Sequence, residues 1–386
     1  MSAPRLIYMD HNATTPLDPR VLEAMTPYLT ERFGNPASTS HVFGMVAAEA
    51  VEQGREKTAR LIRSTPAEIV FTSGATESDN AAIKGVAWEA AAKGRHIVTT
   101  AIEHRAVLES CRFLETQGYE VSYLPVDADG VVDPDDVRRA LRAGTILVSV
   151  MHANSEIGSM QPVREIGAIC RERGVPFHVD ATQTVGKIPV DVESMAADFV
   201  AFSGHKIYGP KGIGGLHVRR RRRLVPLHSC GGQEKGRRSG TGNTPGIVGL
   251  GAACDLAASD LEVEQARLRA LSLRFLAGVR DRIDGVTLNG HPDLRLPNNI
   301  NISFEHVEAE GLIAALRSVA VSSGSACANE LREPSYVMKA IGATDERAHA
   351  AVRFGFGRIT TEADVDEVVD RLEEAVKRQR MMSHVS

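Results

Sequence analysis

Short apolar runs alternate with amphipathic segments over the first two thirds of the chain. The apolar runs predicted as strands are residues 69–72, 96–100, 145–151, 175–179 and 198–202. The segments between them include residues 78–92, in which apolar positions recur at helical spacing. Buried strands that alternate with helices are typical of a parallel sheet covered on both faces. The pattern therefore predicts an α/β fold with a mostly parallel sheet.

This alternation is lost after Asp260. A charged amphipathic helix is predicted over residues 261–282, followed by strands at 298–304 and 351–358 and a last helix at 361–380. Mixed helices and strands without regular βαβ order favour a smaller α+β domain. We expect a large α/β domain over residues 15–256, and a small domain built from residues 1–14 and 257–386.

Composition narrows the class of protein. The chain has 386 residues and a formal net charge of −4, so it can bury a large core and has no general attraction to nucleic acid or membranes. Neither a targeting segment nor an apolar run of roughly 20 residues is recognisable. We expect a soluble, cytoplasmic protein.

The five cysteines are scattered and form no Cys-x-x-Cys pair; they are Cys111, Cys170, Cys230, Cys254 and Cys327. Their number and spacing predict neither a disulfide framework nor a zinc site, and no metal centre is expected. Cys327 differs from the others because it lies in a segment of small and polar residues, 321–329. We expect this thiol to be exposed.

The clearest candidate for chemistry is the segment 202–212, where a strand breaks into Ser203, Gly204, His205 and Lys206. A lysine on a rigid turn suits Schiff-base formation with an aldehyde cofactor. Taken alone, Lys206 could equally be a solvated lysine in a Gly-Pro loop. A second signal is needed to decide.

Asp180 supplies that signal, since it follows the strand at 175–179. An aspartate at such a position can keep a pyridine nitrogen protonated, which makes pyridoxal phosphate an electron sink. The loop 73–77 opens a helix, and the backbone N–H groups of Ala75 and Thr76 would suit its phosphate. An ordinary capped strand–helix connection is the alternative for this loop.

Together, the segments around Asp180 and Lys206 resemble the active-site core of the cysteine desulfurases, and the resemblance runs from Tyr8 to about the last helix. Members of this family are pyridoxal-phosphate enzymes of fold type I. The resemblance implies a homodimer with that cofactor.

It also implies how the cofactor is held. His104 would stack on the pyridine ring and transfer protons, and Gln183 would bond the ring hydroxyl. Ser203 and His205 would bind the phosphate. Thr241, in the loop 231–243, would reach the phosphate of the neighbouring subunit.

The implied substrate contacts are Arg353, Asn154 and Asn12, and Arg353 would bind the substrate carboxylate because a guanidinium pairs bidentately with one. Asn154 and Ser155 would also contact the cofactor. Family members usually carry two asparagines here, whereas this chain has Asn154-Ser155. The shorter serine leaves the contact at residue 155 open, and a bridging water could compensate.

The implied reaction converts L-cysteine to L-alanine and leaves the sulfur as a persulfide on Cys327, with Lys206 and His104 handling protons. A sulfur-acceptor protein would then supply iron–sulfur cluster assembly or another pathway, such as DNA phosphorothioate modification or tRNA thiolation. The alternatives are a selenocysteine lyase or aminotransferase of the same fold, or a non-catalytic protein that contacts nucleic acid through the arginine run 219–223. That run is more typical of a solvated turn, so no direct nucleic-acid binding is expected.

Overall fold

The structure, a computed structural model, describes residues 5–323 and 334–383. Within those ranges the strands are β1 (Ile7–Tyr8), β2 (Ile69–Thr72), β3 (His96–Thr100), β4 (Glu120–Leu124), β5 (Thr145–Ser149), β6 (Phe177–Asp180), β7 (Phe199–Ser203), β8 (Gly214–Val218), β9 (Val286–Asn289), β10 (Asn299–Phe304), β11 (Val319–Ala320), β12 (Ser322–Ser323) and β13 (Ala351–Gly355). The α-helices of the same ranges are α1 (Pro19–Thr30), α2 (Val42–Leu61), α3 (Ala75–Glu89), α4 (Arg105–Glu115), α5 (Pro134–Ala140), α6 (Val163–Arg173), α7 (Thr244–Arg282), α8 (Ala309–Ala315), α9 (Tyr336–Ala340), α10 (Asp345–His349) and α11 (Glu362–Ser383).

The large sheet has the strand order β2-β8-β7-β6-β5-β3-β4. All its pairings are parallel except the two made by β8, which is antiparallel to β2 and to β7. Strands β2, β3, β6, β7 and β8 are buried along their whole length, which explains why the sequence shows continuous apolar runs there. The predicted mostly parallel α/β fold is confirmed.

Pairing of β6 with β7 determines where the candidate residues lie. The two strands are parallel, and Asp180 is in register with Ala201. A short 3₁₀ turn, Gly204–Lys206, follows β7 directly. Since the carboxyl ends of parallel strands meet at one edge of a sheet, Asp180 and Lys206 lie at the same edge.

The rest of the chain builds a second core. An antiparallel sheet with the order β12-β13-β10-β9 packs against α7 and α11, and β1 pairs with β11 beside it. At the centre of this core, the ring of Phe275 lies 4.6 Å from that of Phe354 and 5.5 Å from that of Phe356. The predicted division into two domains at residues 256 and 257 stays a prediction.

Helix α7 extends further than its sequence pattern indicates. The amphipathic segment 261–282 is only its second half, because the helix begins at Thr244 with Asn243 as its N-cap. In the first half Gly251 lies so close to α2 that a Cβ there would be 2.7 Å from the Cα of Gly54. This half contains several buried glycines, and it lacks the regular apolar stripe by which surface helices are recognised.

A cluster around Arg358 connects the two cores. Its guanidinium pairs with Asp18 at 2.7 Å and with Glu264 at 3.1 Å, and it lies over the ring of Tyr208 at 4.2 Å. Hydrogen bonds from Arg20, together with the Arg358 contact, hold the pKa of Asp18 well below its usual range. Asp18 therefore stays ionised and paired at neutral pH.

We predict that Gly167→Ala destabilises the fold. A Cβ at Gly167 would lie 1.9 Å from the carbonyl oxygen of Met195, so α6 must move away from that loop, at a cost of about 2–3 kcal/mol. Urea unfolding should show a lower midpoint. Gly232→Ala is the matched control, because nothing lies within 4 Å of its added methyl group. Equal midpoints for the two variants would contradict this packing.

Candidate active site

Lys206 is held by the first residues of the chain. Its Nζ donates to the carbonyl oxygens of Asn12 at 2.7 Å and Ala13 at 2.6 Å. The same segment also binds the backbone of the 3₁₀ turn, since the N–H and Oγ1 of Thr15 both donate to His205 O at 2.9 Å. The lysine is half-buried, and its amine therefore has a defined position at the edge of the sheet.

Asp180 is buried at the end of β6, and its Oδ1 accepts from Thr182 N at 2.9 Å. Two further buried acids, Asp79 and Glu103, lie near it. Burial, followed by the charges of Asp180 and Glu103, raises the pKa of Asp79 well above its usual value. Burial likewise raises the pKa of Glu103 to about 8. Glu103 therefore keeps its proton at neutral pH and adds no second negative charge beside Asp180.

His104 caps the N-terminus of α4, where its Nδ1 accepts from Ala106 N at 3.1 Å. Its ring is open to solvent at the cleft, although one side is packed against protein. Burial lowers the pKa of His104, Asp180 acts in the opposite direction, and Lys206 lowers it further. The ring is therefore neutral at pH 7, and because Nδ1 is an acceptor, its proton is on Nε2.

The N-terminus of α3 forms a cradle of backbone donors. Its N-cap is Gly74, with φ 155° and ψ 178° and no side-chain cap, so the N–H groups of Ala75 and Thr76 face outward from the first turn. Ser203 Oγ is 3.7 Å from where a Cβ on Gly74 would lie. A helix N-terminus with a nearby hydroxyl is a suitable site for a phosphate.

His205 lies beside this cradle and is fixed by Thr14, with 3.0 Å between Nδ1 and Oγ1. Burial and the positive charges of Lys206, Lys211 and Lys187 lower the pKa of His205 to about 4. The imidazole is therefore neutral at pH 7. Hydrogen bonding rather than charge is what it can offer an anion.

Gln183 is buried and joined to Asn12 in both directions. Its Nε2 donates to Asn12 O at 3.0 Å, and its Oε1 accepts from Asn12 Nδ2 at 3.2 Å. A third contact comes from Lys187, whose Nζ donates to the same Oε1 at 3.3 Å. Gln183 and Asn12 thus form one rigid unit that also receives the amine of Lys206.

The side-chain amide of Asn154 is hydrogen-bonded to backbone groups. Its Oδ1 accepts from the N–H groups of Glu156 at 2.8 Å and Ile157 at 3.0 Å, while Nδ2 donates to Ile102 O at 2.9 Å. These bonds shape the loop after β5. The predicted contacts of Asn154 and Ser155 with cofactor and substrate stay predictions.

Arg353, on β13, lies across the cleft with its guanidinium largely buried. It donates to Asp10 Oδ1 at 2.8 Å and to the backbone oxygen of Ser155 at 2.9 Å. Its Nε has no acceptor among the described residues. Asp10 is fixed in turn by Ser322, whose Oγ donates to Oδ2 at 2.7 Å.

Two residues of this site were not predicted from the sequence. Asp10 pairs with Arg353, 343 positions away, and no local pattern indicates such a partner. Lys187 stands four residues after Gln183, a spacing at which side chains meet on a helical turn. That spacing was the available signal.

Thr241 is exposed and lies on the rim of a cavity of about 540 Å³ that Thr72 and Ser73 also line. The loop 231–243 is fastened there by an ion pair between Arg55 and Glu234 at 2.7 Å. The predicted contact of Thr241 with a neighbouring subunit stays a prediction. Cys327 lies outside the described residues, so its role as the thiol that receives the sulfur stays a prediction.

The chemistry of this donor set fits pyridoxal phosphate. A helix N-terminus without a side-chain cap suits the phosphate, a buried carboxylate suits the pyridine nitrogen, and a fixed amine suits the aldehyde. All three lie at carboxyl ends of strands in one open sheet, where ligands of α/β proteins bind.

Comparison with known proteins shows which family the chain belongs to. The family model for class-V aminotransferases matches residues 7–368. A cysteine desulfurase IscS of Anaeromyxobacter dehalogenans is 54% identical over 379 residues, covering 98% of this chain and 94% of that protein.

Solved structures give the same result. A NifS-like protein superposes with a TM-score of 0.91 at 37% identity, covering 97% of this chain and all of that one. SspA in complex with cysteine has a TM-score of 0.82 at 38% identity, covering 91% of this chain and 98% of that one. The chain therefore belongs to the class-V aminotransferases and, within them, to the cysteine desulfurases, a family of enzymes that depend on pyridoxal phosphate.

In residues 5–323 and 334–383, no helix is both long enough and apolar enough to cross a membrane. The same residues contain no group of histidine, cysteine and acidic side chains arranged to hold a metal ion.

We predict that Gly74→Ala strains the cradle. The backbone of Gly74 lies in a region essentially restricted to glycine, so alanine costs about 1–3 kcal/mol or turns the first N–H groups of α3 aside. The variant should melt at a lower temperature and release pyridoxal phosphate faster than the parent. Unchanged melting and release would show that this turn is not the phosphate site.

Proposed function

We propose that this protein is a pyridoxal-phosphate-dependent cysteine desulfurase that converts L-cysteine to L-alanine and retains the sulfur as a persulfide on Cys327. The observation that carries the proposal is the placement of Lys206 and Asp180 at adjoining ends of parallel strands, with an uncapped helix N-terminus beside them. The reaction balances without another reagent, since cysteine and an enzyme thiol give alanine and an enzyme persulfide.

Residues of three strand ends would hold the cofactor. Asp180 would bind the pyridine nitrogen, Gln183 the ring hydroxyl, and Ser203 with His205 the phosphate at the N-terminus of α3. His104 would lie against the ring, and Ala75 and Thr76 would donate their N–H groups. Bound there, pyridoxal phosphate supplies an electron sink for the bonds broken at the amino acid.

Proton transfers fall to Lys206 and His104. Lys206 would take a proton from the substrate Cα, because its amine is already fixed at the edge of the sheet. His104 is neutral at pH 7 and its Nδ1 accepts from Ala106 N, so the proton it can pass on is the one on Nε2.

Substrate orientation would come from Arg353, with Asn12 and Asn154 beside it. The guanidinium is held in place by Asp10 and the Ser155 carbonyl, so little side-chain entropy is lost when a carboxylate binds. Arg353 therefore fixes the Cα–H of cysteine relative to Lys206.

Sulfur transfer requires the Cys327 thiolate. It would attack the substrate sulfur as the C–S bond breaks, and the leaving carbon would take up a proton to become the methyl group of alanine. The solved complex of SspA with cysteine, 38% identical to this chain, supports cysteine as the substrate.

The sulfur acceptor is proposed to be an iron–sulfur assembly protein. Support comes from relatives at about half identity that carry the name cysteine desulfurase IscS. Sulfur donation for DNA phosphorothioate modification or for tRNA thiolation is the second candidate. Adding each purified acceptor to persulfide-loaded enzyme and following the sulfur by mass spectrometry separates these pathways.

We predict that Lys206→Ala abolishes turnover and the visible absorption of the bound cofactor, because the variant lacks the amine held after β7 at the edge of the sheet. Alanine formation and absorbance spectra measure both effects. Lys211→Ala is the matched control, an exposed lysine of the same loop, and it should keep both. Multiple turnovers by Lys206→Ala would end the assignment.

We predict a different defect for Cys327→Ser. The variant should still bind pyridoxal phosphate and still change its spectrum when cysteine is added, but it should form no persulfide, because a hydroxyl is not a sulfur nucleophile under these conditions. Mass spectrometry of the intact protein measures the added sulfur. Cys230→Ser, which removes an exposed cysteine, should still form the persulfide. A Cys327→Ser enzyme that transfers sulfur normally would falsify the role of this thiol.

The protein is also proposed to be a homodimer in which Thr241 completes the phosphate site of the partner subunit. Thr241→Ala should then weaken cofactor retention by about 1–2 kcal/mol, the size of one hydrogen bond to a charged group. Light scattering and cofactor dissociation test the two parts together. A monomer that retains the cofactor tightly would contradict the proposal.

A further inference from the structure

Lys187 is a buried lysine beside the proposed cofactor site, with 7% of its surface exposed. Buried lysines are rare, since an ammonium loses its hydration there. Its Nζ donates to Gln183 Oε1 at 3.3 Å. The contact places a cation directly behind the side chain proposed to bond the ring hydroxyl.

A continuous hydrogen-bond path runs from Lys187 to Lys206. Gln183 accepts from Lys187 and passes the connection to Asn12 through its Nε2, which donates to Asn12 O at 3.0 Å. The same carbonyl oxygen accepts from Lys206 Nζ at 2.7 Å. The two lysines are therefore joined through one amide side chain and one backbone carbonyl.

This path decides which way the Gln183 amide faces. A carboxamide can exchange its oxygen and nitrogen by a half-turn, but a protonated lysine offers donors and no acceptor. Gln183 therefore turns Oε1 toward two donors, Lys187 Nζ at 3.3 Å and Asn12 Nδ2 at 3.2 Å. Its Nε2 then faces Asn12 O and keeps one N–H for a ligand in the cleft.

We propose that Lys187 is a positioning residue that holds the Gln183 amide as a hydrogen-bond donor toward the ring hydroxyl of the cofactor, an inference that rests on the proposed function. Lys187 acts through Gln183 and touches neither substrate nor cofactor. Its removal takes away one of the two donors to Oε1, so the amide is held less firmly and the cofactor loses its donor for part of the time.

The charges around Lys187 make this lock sensitive to pH. The groups coupled to it are Lys206, Arg353, Glu264, His11 and His205. Burial, then the like charges of Lys206 and Arg353, lower the pKa of Lys187 to about 7, with Glu264 opposing them. Below pH 7 the ammonium only donates. Above it, the neutral amine gains a lone pair that can accept from Gln183 Nε2, so only Asn12 still favours one orientation of the amide.

The test is the dissociation rate of pyridoxal phosphate from the full-length holoenzyme, followed by absorbance at pH 6 and pH 8.5. Lys187→Met keeps the length of the side chain and removes the donor. It should release the cofactor about 3- to 10-fold faster than the parent at pH 6, the effect of one hydrogen bond. At pH 8.5 the two proteins should differ much less.

A double-mutant cycle separates positioning from a general packing effect. In a Gln183→Met background, Lys187→Met should cause a much smaller change in the dissociation rate, because the route through Gln183 is gone and only the charge of Lys187 near Lys206 and His205 remains. Lys84→Met is the control; Lys84 is a part-buried lysine over the ring of Phe113, at 4.3 Å, on α3. It should release the cofactor at the parent rate at both pH values.

Additive effects of the two substitutions would overturn the inference, as would equal release by Lys187→Met and the parent at pH 6. A second measurement leaves Lys187 unchanged: Gln183→Met alone should lose the difference between pH 6 and pH 8.5, and its persistence would also overturn the inference. Parent protein that binds no pyridoxal phosphate would instead defeat the proposed function itself. The two failures are therefore distinguishable.

Discussion

The parallel pairing of β6 with β7 is the constraint on which the site depends. It places Asp180 opposite Ala201 of β7, and the turn that carries Lys206 follows directly at the end of β7. Asp180 could not be moved by a single position along β6 without turning its side chain to the other face of the sheet, because side chains alternate along a strand. The distance between the carboxylate and the amine is therefore determined by backbone hydrogen bonds in the most buried part of the protein.

The electrostatics of the cleft are arranged for an anionic ligand. Lys206 and Arg353 are half-buried cations near the sheet edge, while His104 and His205 are held neutral by burial and by the positive charge of Lys206. Behind the site, Glu103 keeps its proton, as its raised pKa indicates. A phosphate and a substrate carboxylate would complete this balance, since each brings negative charge to a site that has cations already positioned.

The sequence was sufficient for the buried strands and for the residues that follow them, because continuous apolar runs and strand-end punctuation are local signals. It was insufficient where partners are distant or where glycines interrupt the apolar stripe of a helix. The pair between Asp10 and Arg353 spans 343 positions, and the first half of α7 contains buried glycines, of which Gly251 packs against α2. The backbone contact of Ser155 with Arg353 was also invisible, because it does not depend on the side chain that differs from the usual asparagine.

The most direct test of the account is the identity of the residue that holds the cofactor. Borohydride reduction of the holoenzyme should abolish its visible absorption band and fix one pyridoxyl group to the chain, and peptide mapping should find it on Lys206. We predict that one lysine carries the pyridoxyl group and that it lies in the segment after β7. Label on another lysine, or none at all, would contradict it.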